Sequence, residues 1–155
     1  MKRFFIVALV ITFIDVFIKF ILLNSFDLNS SITIIDKFFN ITLLGNTGAA
    51  FSIFTENTFL LIFISFMALA IIYLFFIKDK SLTKMEEFIY GILIGGILGN
   101  LIDRIFRGYV VDYLDFNIFG YNFPVFNFAD ICIVVSIILL IIYTFKGEKN
   151  ENRSR

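Results

Sequence analysis

The chemistry-bearing residues of this chain are carboxylates, and two of them stand out. Asp112 lies in the polar stretch Val110-Val111-Asp112, and Asp130 lies where the last apolar run begins, in Asn127-Phe128-Ala129-Asp130. Two carboxylates brought close cannot both ionise comfortably, so one pKa rises, one falls, and the pair shares a proton. The ionised member can then take a proton from water while the protonated member donates to a carbonyl oxygen. That is the chemistry of aspartic peptide hydrolysis, which needs no His, Cys or metal. Each residue also has a plainer reading. Asp112 alone is an ordinary loop Asp. Asp130 stands three residues after Asn127, a favoured N-cap, so it doubles as the carboxylate of a capping box.

Other routes close quickly. The chain has no His and a single Cys, Cys132. Ser-His and Cys-His nucleophilic pairs within the chain are therefore excluded, as is an intrachain disulfide. Zinc sites draw on His or several Cys, and no GxxxxGK[ST] fingerprint occurs, so no metal and no cofactor are expected. The net charge is zero, and nothing suggests a nucleic-acid partner.

Further polar groups sit inside apolar runs, where ionisable side chains are costly and point to function by default. Asp15 and Lys19 are four apart and share one helix face. They read either as a structural ion pair or as part of a site. Gly91, Gly95 and Gly99 recur every four residues, a stripe that lets another helix approach closely. Beside it run Gly96, Asn100, Asp103 and Arg104. A buried Arg must find an anion or several carbonyls, so Arg104 is either a site residue or an anchor for the adjoining loop.

The elements that must position these groups are membrane spans. Hydrophobic residues make up 59% of the 155 residues, Phe alone occurs 23 times, and charged residues fall to 17%. A soluble domain is roughly 45–50% apolar, and one of this length has too much surface to hide such an excess. Four runs approach the roughly 20 residues that cross a bilayer: Phe4–Leu23, Thr58–Ile77, Glu87–Phe106 and Phe128–Phe145. The first contains Asp15 and Lys19 and is followed by no small-x-small site, so it reads as a span and not a cleaved signal. Lys2, Arg3, Lys78, Lys80, Lys84, Lys146, Lys149, Arg153 and Arg155 fall on one side, whereas loop 24–57 holds only Lys37 and loop 107–127 only Arg107. By the positive-inside rule both termini face the cytoplasm and the two larger loops face outward. Within those loops Ser31–Asp36, Phe39–Leu43, Val110–Leu114 and Tyr121–Val125 read as short strands around a turn at Asn117–Gly120. The expected fold is an all-α membrane protein of four transmembrane helices with a small extracytoplasmic β element, a single domain over 1–146 and a disordered cytoplasmic tail over 147–155. A transporter is disfavoured because the inner half of each span is almost purely apolar. A Ser-Lys hydrolase using Lys19 with Ser25 or Ser52 remains a rival.

Taken in order, five motifs resemble the lipoprotein signal peptidases, also called signal peptidase II. They are Asp15-x-x-x-Lys19, Asn46-Thr-Gly-Ala-Ala-Phe51, Gly95-Gly-Ile-Leu-Gly-Asn-Leu-Ile-Asp-Arg104, Val110-Val-Asp112 and Phe123-Pro-Val-Phe-Asn-Phe-Ala-Asp130. The resemblance implies an aspartyl endopeptidase of the bacterial cell membrane that cuts diacylglyceryl-modified prolipoproteins just before the lipidated Cys. It implies Asp112 and Asp130 as the catalytic pair and Asn46, Asn100, Arg104 and Asn127 as site-lining residues, with Asp15 and Lys19 in support; Gly48, whose turn allows close backbone approach, and Asp103 join the candidate set. Membrane lipid and globomycin-type inhibitors are the other implied partners. Val16 stands where the family commonly has Gln, and Ser52 replaces a common Gly.

Overall fold

A computed structural model describes residues 2–48 and 57–153. The order is α1 (Lys2–Ser25), β1 (Ser31–Ile35), β2 (Phe39–Asn46), α2 (Thr58–Ile71), a π-helical continuation of α2 (Ile72–Ile77), α3 (Lys84–Arg107), β3 (Val110–Ile118), β4 (Tyr121–Asn122) and α4 (Phe128–Arg153). Four helices are long and apolar enough to cross a membrane, over Arg3–Ser25, Thr58–Ile77, Lys84–Arg107 and Phe128–Phe145. Their outer faces carry bare aromatic and branched side chains, Phe59 at 88% exposure among them, which only an apolar solvent suits. The chain is thus mostly helical, and the expected small β element is a four-stranded antiparallel sheet, so the label all-α is too narrow.

The expected spans differ from the observed helices most at α4, which runs on past Phe145, and at the start of α3, which begins three residues before the apolar run. Thr83 closes a capping box there: its hydroxyl accepts from Glu86 N at 3.2 Å, and the Glu86 carboxylate accepts from Thr83 N at 2.8 Å. The polar first turn hides that start from a hydrophobicity reading. At the other end Gly108, at φ +81°, adopts the left-handed C-cap. The backbone of α4 continues past Phe145 through most of the polar tail expected to lack structure.

Helix α3 is the centre of the bundle, and its glycines set the spacing. A Cβ on Gly91 would lie 2.6 Å from Val7 Cβ, one on Gly95 2.6 Å from Ile11 Cβ, and one on Gly96 2.7 Å from the Ala129 carbonyl oxygen. Gly99 faces the Asp15 carboxylate just as closely. The stripe therefore brings α1 against one face of α3, and Gly96 brings the start of α4 against another. Apolar packing holds both ends of this arrangement: Phe4, Ala8, Ile77 and Ile94 at one end, and Leu43, Val111 and Tyr113, where the sheet meets the helices, at the other.

The sheet runs β1-β2-β3-β4, all neighbours antiparallel. Its register carries one consequential irregularity. Ile41 faces Leu114 but Leu44 faces Asp112, so β2 holds one residue more than β3 over that interval. This bulge resets the alternation of β2. It puts Leu44 and Asn46 on the same face as Asp112. The expected strand Tyr121–Val125 stops at Asn122. Phe123 N still donates to Phe116 O at 2.9 Å, but Pro124 cannot donate to a ladder, and the next pairing with β3 is a bridge between Phe126 and Leu114. The hairpin turns on Phe119 (φ 52°) and Gly120 (φ 86°), with Asn117 paired to Asn122.

Candidate active site

Five elements, α1, β2, α3, β3 and the start of α4, deliver polar side chains to one region where the helices meet the sheet. From α1 come Asp15 and Lys19, both fully buried. One helical turn apart, they pair at 2.8 Å, and Lys19 Nζ also lies 2.9 Å from Asp103 Oδ2 of α3. Asp103 is shared further: its Oδ1 pairs with Arg107 at 2.5 Å and its Oδ2 accepts from Val111 N at 3.1 Å. Asp15 Oδ1 accepts from Ala129 N at 3.1 Å, tying the first turn of α4 to α1. Two anions and two cations thus satisfy one another, which is the condition for carrying buried charge at tolerable cost.

Above this cluster lie three amides and the two carboxylates. Lys19 Nζ donates to Asn100 Oδ1 at 3.0 Å. Asn127 Nδ2 donates to the same oxygen at 3.1 Å and to Asp112 Oδ1 at 2.7 Å. Asn46 Nδ2 donates to Asp112 Oδ2 at 2.8 Å. Asn100 Nδ2 donates to Asp130 Oδ1 at 2.7 Å. Asp112 and Asp130 are therefore joined through Asn127 and Asn100, and both face one cavity of about 920 Å³, well within the size range of ligand sites. Asn46, Asn100 and Arg104 line it too, and Phe123–Phe126 with Ile131 and Val134 supply its apolar wall.

The capping reading of Asp130 holds alongside the functional one. Asp130 Oδ2 accepts from Asn127 N at 3.1 Å, and Asn127 Oδ1 accepts from Asp130 N at 3.0 Å. The cap occupies one carboxylate oxygen and leaves the other toward Asn100 and the cavity.

Burial pushes the Asp112 carboxyl up from 3.8 to about 6, and the negative charge of Asp130 pushes the same way. Donation from Asn46 and Asn127 and the charge of Lys19 oppose the rise. Asp112, 3% exposed, thus holds a proton well above the ordinary carboxylate range. Burial raises the neighbouring Tyr113 phenol as well, and its oxygen accepts from Phe128 N at 3.2 Å.

The remaining expected residues fall where the motifs put them in sequence. Gly48 N donates to Asn46 Oδ1 at 2.9 Å, which fixes the Asn46 amide, and the Gly48 carbonyl accepts from Arg104 at 3.2 Å. Residues 49–51 of the Asn46–Phe51 motif, and Ser52, lie outside the described residues. Arg107 was counted only for orientation, yet it completes the charge cluster. Its spacing from Asp103, four residues as in Asp15 and Lys19, is the signal by which the sequence could have revealed it. Among the described residues no three of His, Cys, Asp and Glu converge so as to hold a metal ion.

The family model for signal peptidase (SPase) II matches residues 7–146. Lipoprotein signal peptidases of Staphylococcus aureus strains JH9 and Newman are each 38% identical over 156 residues, spanning 97% of this chain and 95% of theirs. Two solved structures, described as bacterial membrane enzymes determined by the in meso method, are each 35% identical to it. One superposes with a TM-score of 0.86 over 97% of this chain and 92% of its own, the other with 0.82 over 94% of both.

Proposed function

This chain belongs to the signal peptidase II family of membrane proteases, and from that premise we propose that it is an aspartic endopeptidase whose catalytic pair is Asp112 and Asp130. The observation that carries the reading is their meeting at one cavity, joined by the Asn127–Asn100 bridge. In this reading Asp112 is the proton donor and Asp130 the proton acceptor. A water between them attacks the scissile carbonyl carbon as Asp130 takes its proton, and Asp112 donates to the carbonyl oxygen. Collapse of the resulting gem-diol returns a proton to Asp112, breaks the C–N bond, and lets the amine leave with the proton held by Asp130.

The substrate is a prolipoprotein bearing a diacylglyceryl group on its Cys, cut just before that residue. A lipid-anchored peptide is confined to the membrane interface, which suits a cavity that is polar at Asn46, Asn100, Asp112 and Asp130 and apolar along Ile131, Val134 and Val135. Asn46, Asn100, Arg104 and Asn127 hold the pair and the substrate backbone, with Gly48, Asp15, Lys19 and Asp103 in support. A globomycin-type cyclic peptide would occupy the same cavity. The sheet and the site face outward and both termini face the cytoplasm, in keeping with the Lys and Arg distribution, and residues 1–146 form one peptidase domain. The Ser-Lys alternative is disfavoured because Lys19 is fully buried and engaged by Asp15, Asp103 and Asn100, leaving no amine free to act as a base.

Incubation of the purified protein with a prolipoprotein in lipidated and unlipidated forms tests the assignment. Mass spectrometry should find an N-terminal diacylglyceryl-Cys product from the lipidated form alone. Equal cleavage of both forms would refute the substrate class.

A further inference from the structure

The Asn100 amide is oriented by what surrounds it. Its Oδ1 faces two donors, Lys19 Nζ at 3.0 Å and Asn127 Nδ2 at 3.1 Å, and its Nδ2 faces Asp130 Oδ1 at 2.7 Å. Rotating the amide by half a turn would set N–H groups against an ammonium and an amide donor, and an oxygen against a carboxylate. All three contacts would become repulsive. A cation at Lys19 therefore fixes the direction of the whole chain of hydrogen bonds that ends on the two carboxylates. The side chain has no slack, since Asp15 Oδ2 at 2.8 Å and Asp103 Oδ2 at 2.9 Å hold the ammonium from two helices.

Resting on the aspartic reading above, we propose that Lys19 is a positioning residue for hydrolysis, its ammonium locking the Asn100 amide so that Asn100 and Asn127 each present a donor to the catalytic pair. Lys19 touches neither substrate nor the reacting atoms. It acts through Asn100, so its loss lowers kcat and leaves KM nearly unchanged.

A structural role for Lys19, as counter-charge to Asp15 and Asp103, predicts damage too, and the charge count separates the two. The cluster holds Asp15, Asp103, Lys19 and Arg107 and is neutral. Lys19→Met leaves one negative charge in excess. Lys19→Met with Asp15→Asn restores neutrality, and an Asn at 15 still offers an oxygen to Ala129 N. Lys19→Gln with Asp15→Asn matches that charge and nearly that volume, and it returns a donor aimed toward Asn100.

The three variants and the native chain are purified whole in detergent and assayed for Tm and for kcat and KM on lipidated prolipoprotein. Both double variants should recover most of the Tm that Lys19→Met loses. The Met double variant should keep a kcat roughly 10–100-fold below native, the scale of a misplacement of about 1 Å, with KM within about threefold. The Gln double variant should regain a substantial part of that kcat. Equal kcat in the Gln and Met double variants, native kcat in the Met one, or failure of both to fold would overturn the proposal. Asp112→Asn and Asp130→Asn in the same assay keep the two ideas apart. If they turn over substrate, the aspartic reading itself fails. If they are inactive while the double variants match the native chain, only the positioning role fails.

Discussion

At one end of the bundle α1 meets α3 through Phe4, Ala8 and Ile94, with Ile77 packed beside them, all buried and apolar. At the other end the same two helices meet through Asp15, Lys19, Asn100 and Asp103, all buried and polar. One glycine stripe serves both, with Gly91 and Gly95 against Val7 and Ile11 and Gly99 against the Asp15 carboxylate. The packing of the apolar end rests mainly on shape. The polar end must satisfy each charge with a partner, or it costs several kcal/mol. Buried ion clusters are often no more stabilising than well-packed apolar side chains, so stability alone does not account for a polar end held to this geometry. The proposed hydrolysis, which needs two carboxylates in a set relation, would account for it.

The contrast makes predictions that separate the two ends. The largest effect is expected at the pair. Asp112→Asn and Asp130→Asn should each lower turnover of lipidated prolipoprotein by about 10⁴-fold or more, the scale of losing a group that acts as part of a unit. Folding should persist, since Asn caps α4 about as well as Asp. Substantial turnover by both would remove the site from the polar end.

Next comes Arg104, which reaches the Gly48 carbonyl and lies in the field of Asp112 and Asp130. Arg104→Ala should lower kcat/KM about 10–100-fold and reduce Tm. Arg104→Lys should rescue poorly, because Lys lacks the planar fork. Full activity in Arg104→Ala would take it out of the site.

Gly91→Ala probes the apolar end, where a Cβ meets Val7 at 2.6 Å. Overpacking there should cost about 1–3 kcal/mol while the folded enzyme keeps its native kcat. A matching loss of kcat would mean that the two ends are coupled more tightly than their packing implies.

The effect spread over the widest range of conditions is the pH dependence of stability. Folding raises the Asp112 carboxyl from 3.8 to about 6, so the folded state binds that proton more tightly than the unfolded chain. The associated stability is fully present below about pH 4 and is lost as pH rises to about 6, by at most about 3 kcal/mol. Melting of the native protein against Asp112→Asn across pH 4–8 reads this directly. The variant should lack that part of the slope, and parallel curves would contradict the shift.

The two ends also differed in how well the sequence foretold them. Apolar runs near 20 residues made the spans legible, and the four-residue repeats of Gly91, Gly95 and Gly99 and of Asp15 and Lys19 made two helix faces legible. The start of α3 was not, because Thr83 and Glu86 extend the helix through residues with no apolar signal. Nor was the sheet register, since the extra residue of β2 between Ile41 and Leu44 leaves no mark in an alternating pattern. That bulge is what turns Asn46 toward Asp112. The motif resemblance grouped Asn46, Asn100, Asn127 and the two carboxylates, but only coordinates give the direction of each hydrogen bond. Arg107 went unnoticed as a partner because one basic residue at a helix end reads equally as a dipole or topology signal.

The central claim is that Asp112 and Asp130 share one proton. Infrared difference spectra of protein labelled with ¹³C-carboxyl Asp, native against Asp112→Asn, test it most directly. A protonated-carboxyl C=O band belonging to Asp112 should persist at pH 5 and disappear as pH rises through about 6, in keeping with the raised Asp112 pKa. If Asp112 is already ionised at pH 5, it is not the proton donor of the pair, and the account of the site is wrong.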